Sequence, residues 1–205
     1  AGVAIREQGL PHGTMATAQP LVLAPLAVPN LLPAGTVNYG KTFVVNAVSI
    51  GGSIDLVAGQ SENDFYFFTG QAGDLINLEV YSRSLTGRFT DTIDSIVRVY
   101  DSTGTVVPYY STVAVNDDSF ESQDAALIDL LLPTNGTYYV EVDTFANSPG
   151  TDTDVGNYEL FLYRFATTTG AVVAGGDSVV GGAGNDTLVG GTGDDVFVGR
   201  LSEDL

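Results

Sequence analysis

The heptapeptide Leu75-Ile-Asn-Leu-Glu-Val-Tyr81 alternates strictly, so that Ile76, Leu78 and Val80 face one side of an extended chain. A period of two is typical of a β-strand with one face in a core and the other in solvent. The segments Ile96–Tyr100 and Tyr158–Tyr163 repeat the pattern further along the chain. The middle of the chain is therefore predicted to fold as a sheet protein.

Nine candidate strands carry this signal between residues 36 and 166, and no stretch has a sustained helical period. They are Lys41–Val48, Gly52–Val57, Asp64–Thr69, Leu75–Tyr81, Ser95–Tyr100, Thr112–Val115, Ala125–Leu132, Gly136–Val142 and Gly156–Phe165. Turn sequences such as Asp101-Ser-Thr-Gly and Pro133-Thr-Asn-Gly separate them. This spacing predicts an all-β protein whose body, residues 36–166, is an antiparallel β-sandwich. We expect its aromatic core to include Phe65, Phe67, Tyr139 and Phe161.

Residues 1–35 read as an extended, proline-rich segment that packs on the sandwich. Four prolines, at positions 20, 25, 29 and 33, interrupt an otherwise apolar stretch, so it cannot be a membrane-spanning helix of ~20 uninterrupted apolar residues. The chain opens at Ala1 without methionine, and we expect it to be a monomeric module of a longer protein. Because His12 lies among glycine and proline, we expect it at the surface.

Two nonapeptides near the C-terminus, Gly181–Val189 and Gly190–Val198, have nearly the same sequence. Their glycines permit tight turns that direct carbonyl oxygens to one point. Aspartates recur every nine residues, and their hard anionic oxygens suit Ca²⁺. We interpret residues 167–205 as calcium-binding repeats; the alternative is a flexible tail rich in glycine and aspartate. The candidate calcium-site residues are Asp177, Asp186, Asp195 and Asp204 with the turn glycines Gly181, Gly184, Gly190 and Gly193.

The overall charge is strongly negative, with 25 acidic residues against 7 basic ones among 205, and a net charge of −18. Such self-repulsion favours a partner that supplies cations. It argues against nucleic acid, because no basic stripe is present to neutralise phosphates. With no cysteine and one histidine, the chain has neither disulfides nor zinc sites of the Cys/His type.

The nonapeptides resemble the RTX calcium-binding β-roll, whose repeat is G-G-x-G-x-D-x-U-x with U apolar. The resemblance implies a short parallel β-roll with two repeats per turn, so that Asp177 pairs with Asp195 and Asp186 with Asp204 around calcium. It also implies type I secretion by a bacterium and folding only outside the cell, where calcium is abundant.

The body resembles the bacterial pre-peptidase C-terminal domain, a jelly-roll-like sandwich appended to secreted proteases. The resemblance rests on Glu62–Phe68, Gln71–Ile76, Asp94–Gly104, Asn116–Ser119, Leu132–Val142 and Gly156–Leu160, in that order. Related collagen-binding domains hold calcium with an acidic N-terminal segment. Here only Glu7 remains of it, and His12 stands among residues expected to be acidic or amide, which argues against that site and against collagen binding.

A second candidate calcium site lies in loops of the sandwich. Aspartates and an asparagine cluster between residues 91 and 124, at the ends of strands that we expect to be neighbours. Carboxylates brought together repel one another unless a cation intervenes. The proposed ligands are Asp94, Asp117, Asp118 and Asp124. The alternative is ordinary turn chemistry, since aspartate favours loops without any metal.

The chain offers little for catalysis, since a lone histidine argues against a Ser-His or Cys-His system. Glu62 and Asp64 could be read as an acid/base pair, but the aromatic run after them indicates a strand start. We therefore expect a non-catalytic, calcium-binding accessory module of a large secreted or surface bacterial protein. One alternative is a calcium-dependent peptide- or glycan-binding module of an adhesin, with Tyr109 and Tyr110 at the ligand surface. Another is the C-terminal appendage of a secreted protease.

Overall fold

The computed structural model describes residues 3–8, 12–29, 42–83, 89–119, 123–145, 152–166, 178–180 and 196–198. Within these ranges the regular structure is β, apart from one 3₁₀ turn at Met15–Thr17. The strands are β1 Val3–Arg6, β2 Gln19–Pro20, β3 Ala24–Pro29, β4 Thr42–Ile54, β5 Leu56–Val57, β6 Gln60–Ser61, β7 Asp64–Gly70, β8 Leu75–Tyr81, β9 Ser95–Tyr100, β10 Pro108–Tyr109, β11 Thr112–Val113, β12 Val115–Asn116, β13 Ala126–Leu131, β14 Gly136–Thr144, β15 Gly156–Phe165, β16 Ser178–Val180 and β17 Val196–Val198.

Two sheets build the first of two compact units, Ala1–Ala166. One sheet has the order β1-β4-β15-β8-β13, and β3 also pairs with β4. The other has the order β12-β9-β14-β7-β2. Pairing is antiparallel except for β1 with β4 and β2 with β7, which are parallel. The predicted all-β sandwich is thus confirmed.

The core lies between the sheets and follows the alternation of the sequence. In β8, Ile76, Leu78 and Val80 are fully buried, as predicted. Each sheet contributes one face to a single apolar cluster. Its members include Ile50, Ile76, Leu78, Val80, Tyr158, Leu160 and Leu162 from the first sheet, and Tyr66, Phe68, Val97, Val99, Tyr138, Val140 and Val142 from the second.

The expected aromatic core is confirmed for Phe65 but wrong for the other three residues. Phe65 is buried, with 9% of its surface exposed, whereas Phe67, Tyr139 and Phe161 are only partly buried. The neighbours of these residues, including Tyr66, Phe68 and Tyr138, point inward instead. In a run of consecutive aromatics, hydropathy cannot decide which side of the strand faces the core, so the choice falls to the register with the neighbouring strands.

Two of the predicted strands, Lys41–Val48 and Gly52–Val57, are largely one. β4 runs through Gly51 and Gly52 because both glycines stay in register, Gly51 with Arg6 of β1 and Gly52 with Tyr158 of β15. A pair of glycines is usually a turn signal, but here it marks a close approach. A Cβ built on Gly52 would lie 2.5 Å from the Tyr158 ring and hydroxyl.

The proline-rich N-terminal segment contributes strands to both sheets. β1 and β3 share the outer edge of β4, and β2 pairs with β7. Pro25 and Pro29 are in β3, a strand with a single pairing partner among the described strands. Proline lacks a donor N–H, so edge strands are where a sheet tolerates it.

The second compact unit is Thr167–Leu205. Its described part is a parallel pair in which Ser178, Val179 and Val180 of β16 align with Val196, Phe197 and Val198 of β17. The partners are eighteen residues apart in the chain. Two nonapeptides therefore separate neighbouring strands, which is the register expected for one turn of a β-roll.

Candidate functional site

A cluster of ionisable side chains joins the N-terminal segment to the sandwich. His12 Nε2 lies 3.0 Å from Glu7 Oε1, and His12 Nδ1 lies 3.2 Å from Asp64 Oδ1. Glu7 follows β1, and Asp64 is the first residue of β7. One ligand atom from each of the three residues lies within 4.8 Å of the others. In the described part of the chain, this is the one group of three or more such residues with the spacing of metal ligands.

The outer oxygens of both carboxylates in this cluster are held by protein donors. The Ser53 amide donates to Glu7 Oε2 at 2.7 Å, and the Tyr158 hydroxyl donates to Asp64 Oδ2 at 2.6 Å. Tyr158 also contacts the Tyr66 hydroxyl at 2.5 Å. The inner oxygens of Glu7 and Asp64 are thereby left to face His12.

Burial makes a charge on Asp64 costly. Its side chain is 0% exposed, and desolvation raises its pKa to about 8, helped by the negative charges of Glu7, Glu62 and Asp55 and opposed by the Tyr158 hydrogen bond. Desolvation also raises the pKa of Glu62. At neutral pH the Asp64 carboxyl group therefore needs either a proton or a cation beside it.

The expectation that His12 lies at the surface is wrong. Its side chain is 3% exposed, its ring lies 5.5 Å from the Tyr66 ring, and its carbonyl accepts a hydrogen bond from the Phe65 amide. Glycine and proline around it suggested a loose loop, but His12 is held against the start of β7 by the bond from the Phe65 amide, and β2 pairs with β7 a few residues further on. One feature of the sequence could have predicted the burial of His12. The family resemblance aligned His12 with residues that line an ion site in the related collagen-binding domains.

The structure places the four carboxylates of the second candidate calcium site around neighbouring strands. β9 and β12 pair as expected, with Val97 opposite Asn116. Asp94 is half-buried and accepts a hydrogen bond from Gln123; desolvation raises its pKa, and the nearby charge of Asp118 adds to this effect. Asp117 is half-buried and Asp118 is exposed. Among the described residues, these aspartates do not form a group with the spacing of metal ligands.

Asp124 has a structural role in this region. It is 0% exposed, and its Oδ1 accepts hydrogen bonds from the backbone amides of Ser82 and Arg83 at 3.1 and 3.0 Å. The buried carboxylate satisfies two amides at the end of β8 that the sheet leaves unpaired. Such contacts are of the kind given above as the alternative to a metal site, and the assignment of Asp124 to a calcium site stays a prediction.

Tyr109 and Tyr110 lie at the tip of the β10–β11 hairpin, with their rings 4.7 Å apart in an edge-to-face arrangement. Tyr109 is half-buried, and its hydroxyl donates to the Ile128 carbonyl at 2.8 Å and accepts from the Ile128 amide. Tyr110 is 79% exposed and has a φ of +49°. This left-handed backbone conformation favours glycine, so a tyrosine in it is energetically costly.

The predicted calcium-site residues of the repeats lie outside the described residues, so their positions stay a prediction. This holds for the aspartates Asp177, Asp186, Asp195 and Asp204 and for the glycines Gly181, Gly184, Gly190 and Gly193. What the structure contributes is the register of β16 and β17. That register spans two repeats, the spacing at which the β-roll pairing would bring Asp177 near Asp195.

Comparison with protein families finds two matches along the chain. Residues 62–144 match the bacterial pre-peptidase C-terminal domain, and residues 173–205 match the RTX calcium-binding nonapeptide repeat in 4 copies. Both resemblances drawn from the sequence are confirmed. The two families are non-catalytic modules, and the second binds calcium.

A curated relative and two solved structures are similar to parts of the chain. A probable subtilase-type serine protease from Deinococcus radiodurans is 37% identical over 81 residues, which are 40% of this chain and 10% of the relative. The pre-peptidase C-terminal domain of a collagenase from Bacillus anthracis is 17% identical, with a TM-score of 0.36 over 56% of this chain and 86% of that one. PliG of Aeromonas hydrophila, a periplasmic inhibitor of g-type lysozyme, is 15% identical, with a TM-score of 0.38 over 67% and 95%.

In the described residues, no helix is long and apolar enough to cross a membrane.

Proposed function

We propose that this chain is a non-catalytic, calcium-binding accessory module of a larger bacterial protein that is secreted or displayed at the cell surface. The observation that carries the proposal is the repeat match at 173–205, together with the eighteen-residue register of β16 and β17. The family of the sandwich, found in exported proteins, supports the extracellular setting. The proposed calcium ligands are Asp177, Asp186, Asp195 and Asp204, with backbone oxygens from the turns at Gly181, Gly184, Gly190 and Gly193.

Calcium would act through linkage between binding and folding. An ion that binds only the folded repeats stabilises them by RT ln(1 + [Ca²⁺]/Kd), about 2.7 kcal/mol at a hundredfold excess over Kd. At low intracellular calcium the repeats would stay unfolded and compatible with export. Outside the cell they would fold, and their negative charges would be neutralised.

Calcium titration of the chelator-stripped chain, followed by calorimetry and by thermal melting, tests this proposal. We expect two ions per chain and a melting temperature that rises with calcium. Asp195→Asn should remove one ion and part of the rise. Asp194→Asn is the matched control, because the preceding repeat already has Asn185 at that position. Equal calcium binding by the two variants, or none by the wild type, would overturn the assignment.

A protease parent is the most specific form of this proposal. The 37% identity to part of a probable subtilase-type serine protease supports a role as the appendage of such an enzyme. On this reading, a protease domain is encoded in the same gene. Sequencing the complete gene decides the point, and a parent without a hydrolase domain would exclude it.

The exposed hairpin tip supports a second candidate, a module that binds peptide or glycan. Tyr110 projects an aromatic face into solvent at a strained position, and strain of this kind is most often retained where a residue serves binding. A glycan and peptide array, probed with calcium present, tests the idea. Tyr110→Gly should abolish binding while leaving stability equal or higher, because glycine relieves the positive φ. Binding that survives this change would place the ligand elsewhere.

A further inference from the structure

We propose that His12 and Asp64, with Glu7 as their supporting residue, form a binding site for a divalent transition-metal ion such as Zn²⁺. This site lies in the sandwich and is separate from the calcium-binding repeats. It accounts for the burial of the only histidine of the chain between two carboxylates.

Two buried atoms in this cluster have the arrangement of metal donors. His12 Nδ1 and Asp64 Oδ1 are fully shielded from solvent, and neither has a hydrogen-bond partner among the described residues. They face each other at 3.2 Å. Ligands about 2.0–2.2 Å from a tetrahedral ion are roughly 3.3 Å apart, so these atoms already have the separation of donors that share a metal. Unpaired buried polar atoms are costly, and an ion would satisfy both.

The remaining nitrogen of His12 is arranged as in metal-binding histidines. Such residues commonly donate the second ring N–H to a carboxylate, which fixes the tautomer and the ring orientation. Here His12 Nε2 lies 3.0 Å from Glu7 Oε1, and Ser53 holds the other oxygen of Glu7. Tyr158 holds the outer oxygen of Asp64 in the same way. The donors that orient the ligands are therefore in place.

The chemistry of the donors selects the class of ion. An imidazole nitrogen suits Zn²⁺, Cu²⁺, Ni²⁺ and related ions, whereas Ca²⁺ and Mg²⁺ prefer oxygen throughout. Glu62, two residues before Asp64, accepts a hydrogen bond from the Asp55 amide, and these two carboxylates add negative charge near the cluster that attracts cations. Glu7, which contacts His12, and Tyr158, which contacts Asp64, line an open cavity of about 860 Å³, although His12 and Asp64 themselves are buried behind it. Water would complete the coordination, because His12 and Asp64 supply only two donors.

A bound ion would also link parts of the fold that are distant in sequence. His12 lies between β1 and the 3₁₀ turn, whereas Asp64 begins β7 in the second sheet. Binding would fasten the N-terminal segment to the sandwich, so the metal should raise the melting temperature of this unit.

The single histidine makes the test unambiguous. The untagged, metal-free chain, with its imidazole labelled with ¹⁵N, is titrated with Zn²⁺ in saturating Ca²⁺, which occupies the repeats. We expect the Nδ1 resonance to shift with one equivalent of Zn²⁺, while calorimetry reports one histidine-dependent ion. Asp64→Asn and His12→Gln should each weaken this binding at least tenfold. Tyr158→Phe, which removes the donor to Asp64, should weaken it about tenfold. Asp129→Asn, at an exposed carboxylate, is the control and should leave it unchanged.

Two results would overturn the proposal. If Zn²⁺ leaves the ring resonances of the wild type unchanged, His12 is held between its carboxylates without a metal, and this readout does not depend on whether any variant folds. If His12→Gln binds Zn²⁺ as tightly as the wild type, the ion lies elsewhere. Neither result depends on whether the repeats bind calcium, so this proposal and the calcium proposal can fail separately.

Discussion

At the scale of single residues, Gly52 shows how a missing side chain makes room for a buried polar contact. Its Cα faces the ring of Tyr158, whose hydroxyl reaches both Asp64 and Tyr66. A methyl group at this position cannot fit unless a fully buried tyrosine moves. The glycine is thus required by the close approach of two strands and by no special backbone angle.

Gly52→Ala should therefore lower the free energy of unfolding by about 1–3 kcal/mol, the usual cost of overpacking a core. Gly51→Ala is the matched control, since a Cβ at Gly51 meets nothing within 4 Å. Chemical denaturation of both variants measures the difference. Equal stabilities would mean that Tyr158 can move at little cost and that the contact is not tightly packed.

Asp101 organises the turn after β9 by accepting three hydrogen bonds at one oxygen, from Thr103 Oγ1 and from the amides of Thr103 and Thr105. These hydrogen bonds lower the pKa of Asp101 below the ordinary value of 3.8, and the bond from the Thr103 hydroxyl has the largest effect. A lowered pKa in the folded state means that the ionised form is the one stabilised. Its contribution is therefore complete above about pH 4 and is lost as the pH falls through the lowered pKa.

The stability of the wild type should fall more steeply than that of Asp101→Asn as the pH is lowered from about 4 to about 2. Asparagine keeps an acceptor oxygen but does not titrate, so this part of the pH dependence disappears. Denaturation curves over that range give the comparison. Parallel pH profiles for the two proteins would show that the charge of Asp101 makes no contribution.

At the scale of elements, β13 is an edge strand, because it ends the strand order of the first sheet. Open edges invite pairing with other chains. Here side chains bind the edge, because Asn116 accepts from the Ala126 amide and the Tyr109 hydroxyl bonds both the amide and the carbonyl of Ile128. A register shift between Leu127 and Leu130 further interrupts the ladder. The β10–β11 hairpin therefore covers the edge of the first sheet.

Tyr109→Phe removes this hydroxyl and should lower the free energy of unfolding by about 1 kcal/mol, the net value of a typical hydrogen bond. The freed edge should also make the variant associate at high concentration, which light scattering would detect. Tyr110→Phe is the control, since it removes a hydroxyl from a side chain that is 79% exposed and should change stability by less than about 0.5 kcal/mol. A Tyr109 variant as stable and as monomeric as this control would contradict the role given to the hairpin.

At the scale of the whole molecule, the net charge of −18 opposes folding through self-repulsion. Monovalent salt screens such repulsion without specific binding. In chelator, the melting temperature should therefore rise gradually as NaCl increases towards about 0.5 M, roughly the range in which the Debye length falls to a few ångströms. Calcium should produce a larger rise at millimolar concentration if it occupies specific sites.

Magnesium distinguishes screening of the net charge from binding at specific sites. Mg²⁺ has the same charge as Ca²⁺ but requires a tighter octahedral shell than flexible repeat loops supply. We expect Mg²⁺ at equal concentration to raise the melting temperature much less than Ca²⁺. The measurement is a set of parallel melts in each ion at constant ionic strength. Identical curves for the two ions would reduce calcium to a screening counterion.

The sequence by itself determined the fold class, the inward face of β8 and the resemblance to two families. Each of these depends on local periodicity or on a motif that is legible along the chain. Alternating apolar residues identify a strand whatever its neighbours in the fold are. A nine-residue repeat of glycine and aspartate is specific enough to be recognised from the sequence. The calcium ligands proposed in the repeats also rest on spacing alone, and they stay a prediction.

Only the tertiary structure decided which aromatic residues face the core, that Gly51 and Gly52 continue a strand, and that His12 is buried between Glu7 and Asp64. The physical reason is that each of these depends on partners far away in sequence. Register with neighbouring strands chooses the inward face of an aromatic run, and the ring of Tyr158 explains Gly52. His12 reaches Asp64, more than fifty residues away along the chain, because β1 pairs with β4 and β2 pairs with β7 on either side of it.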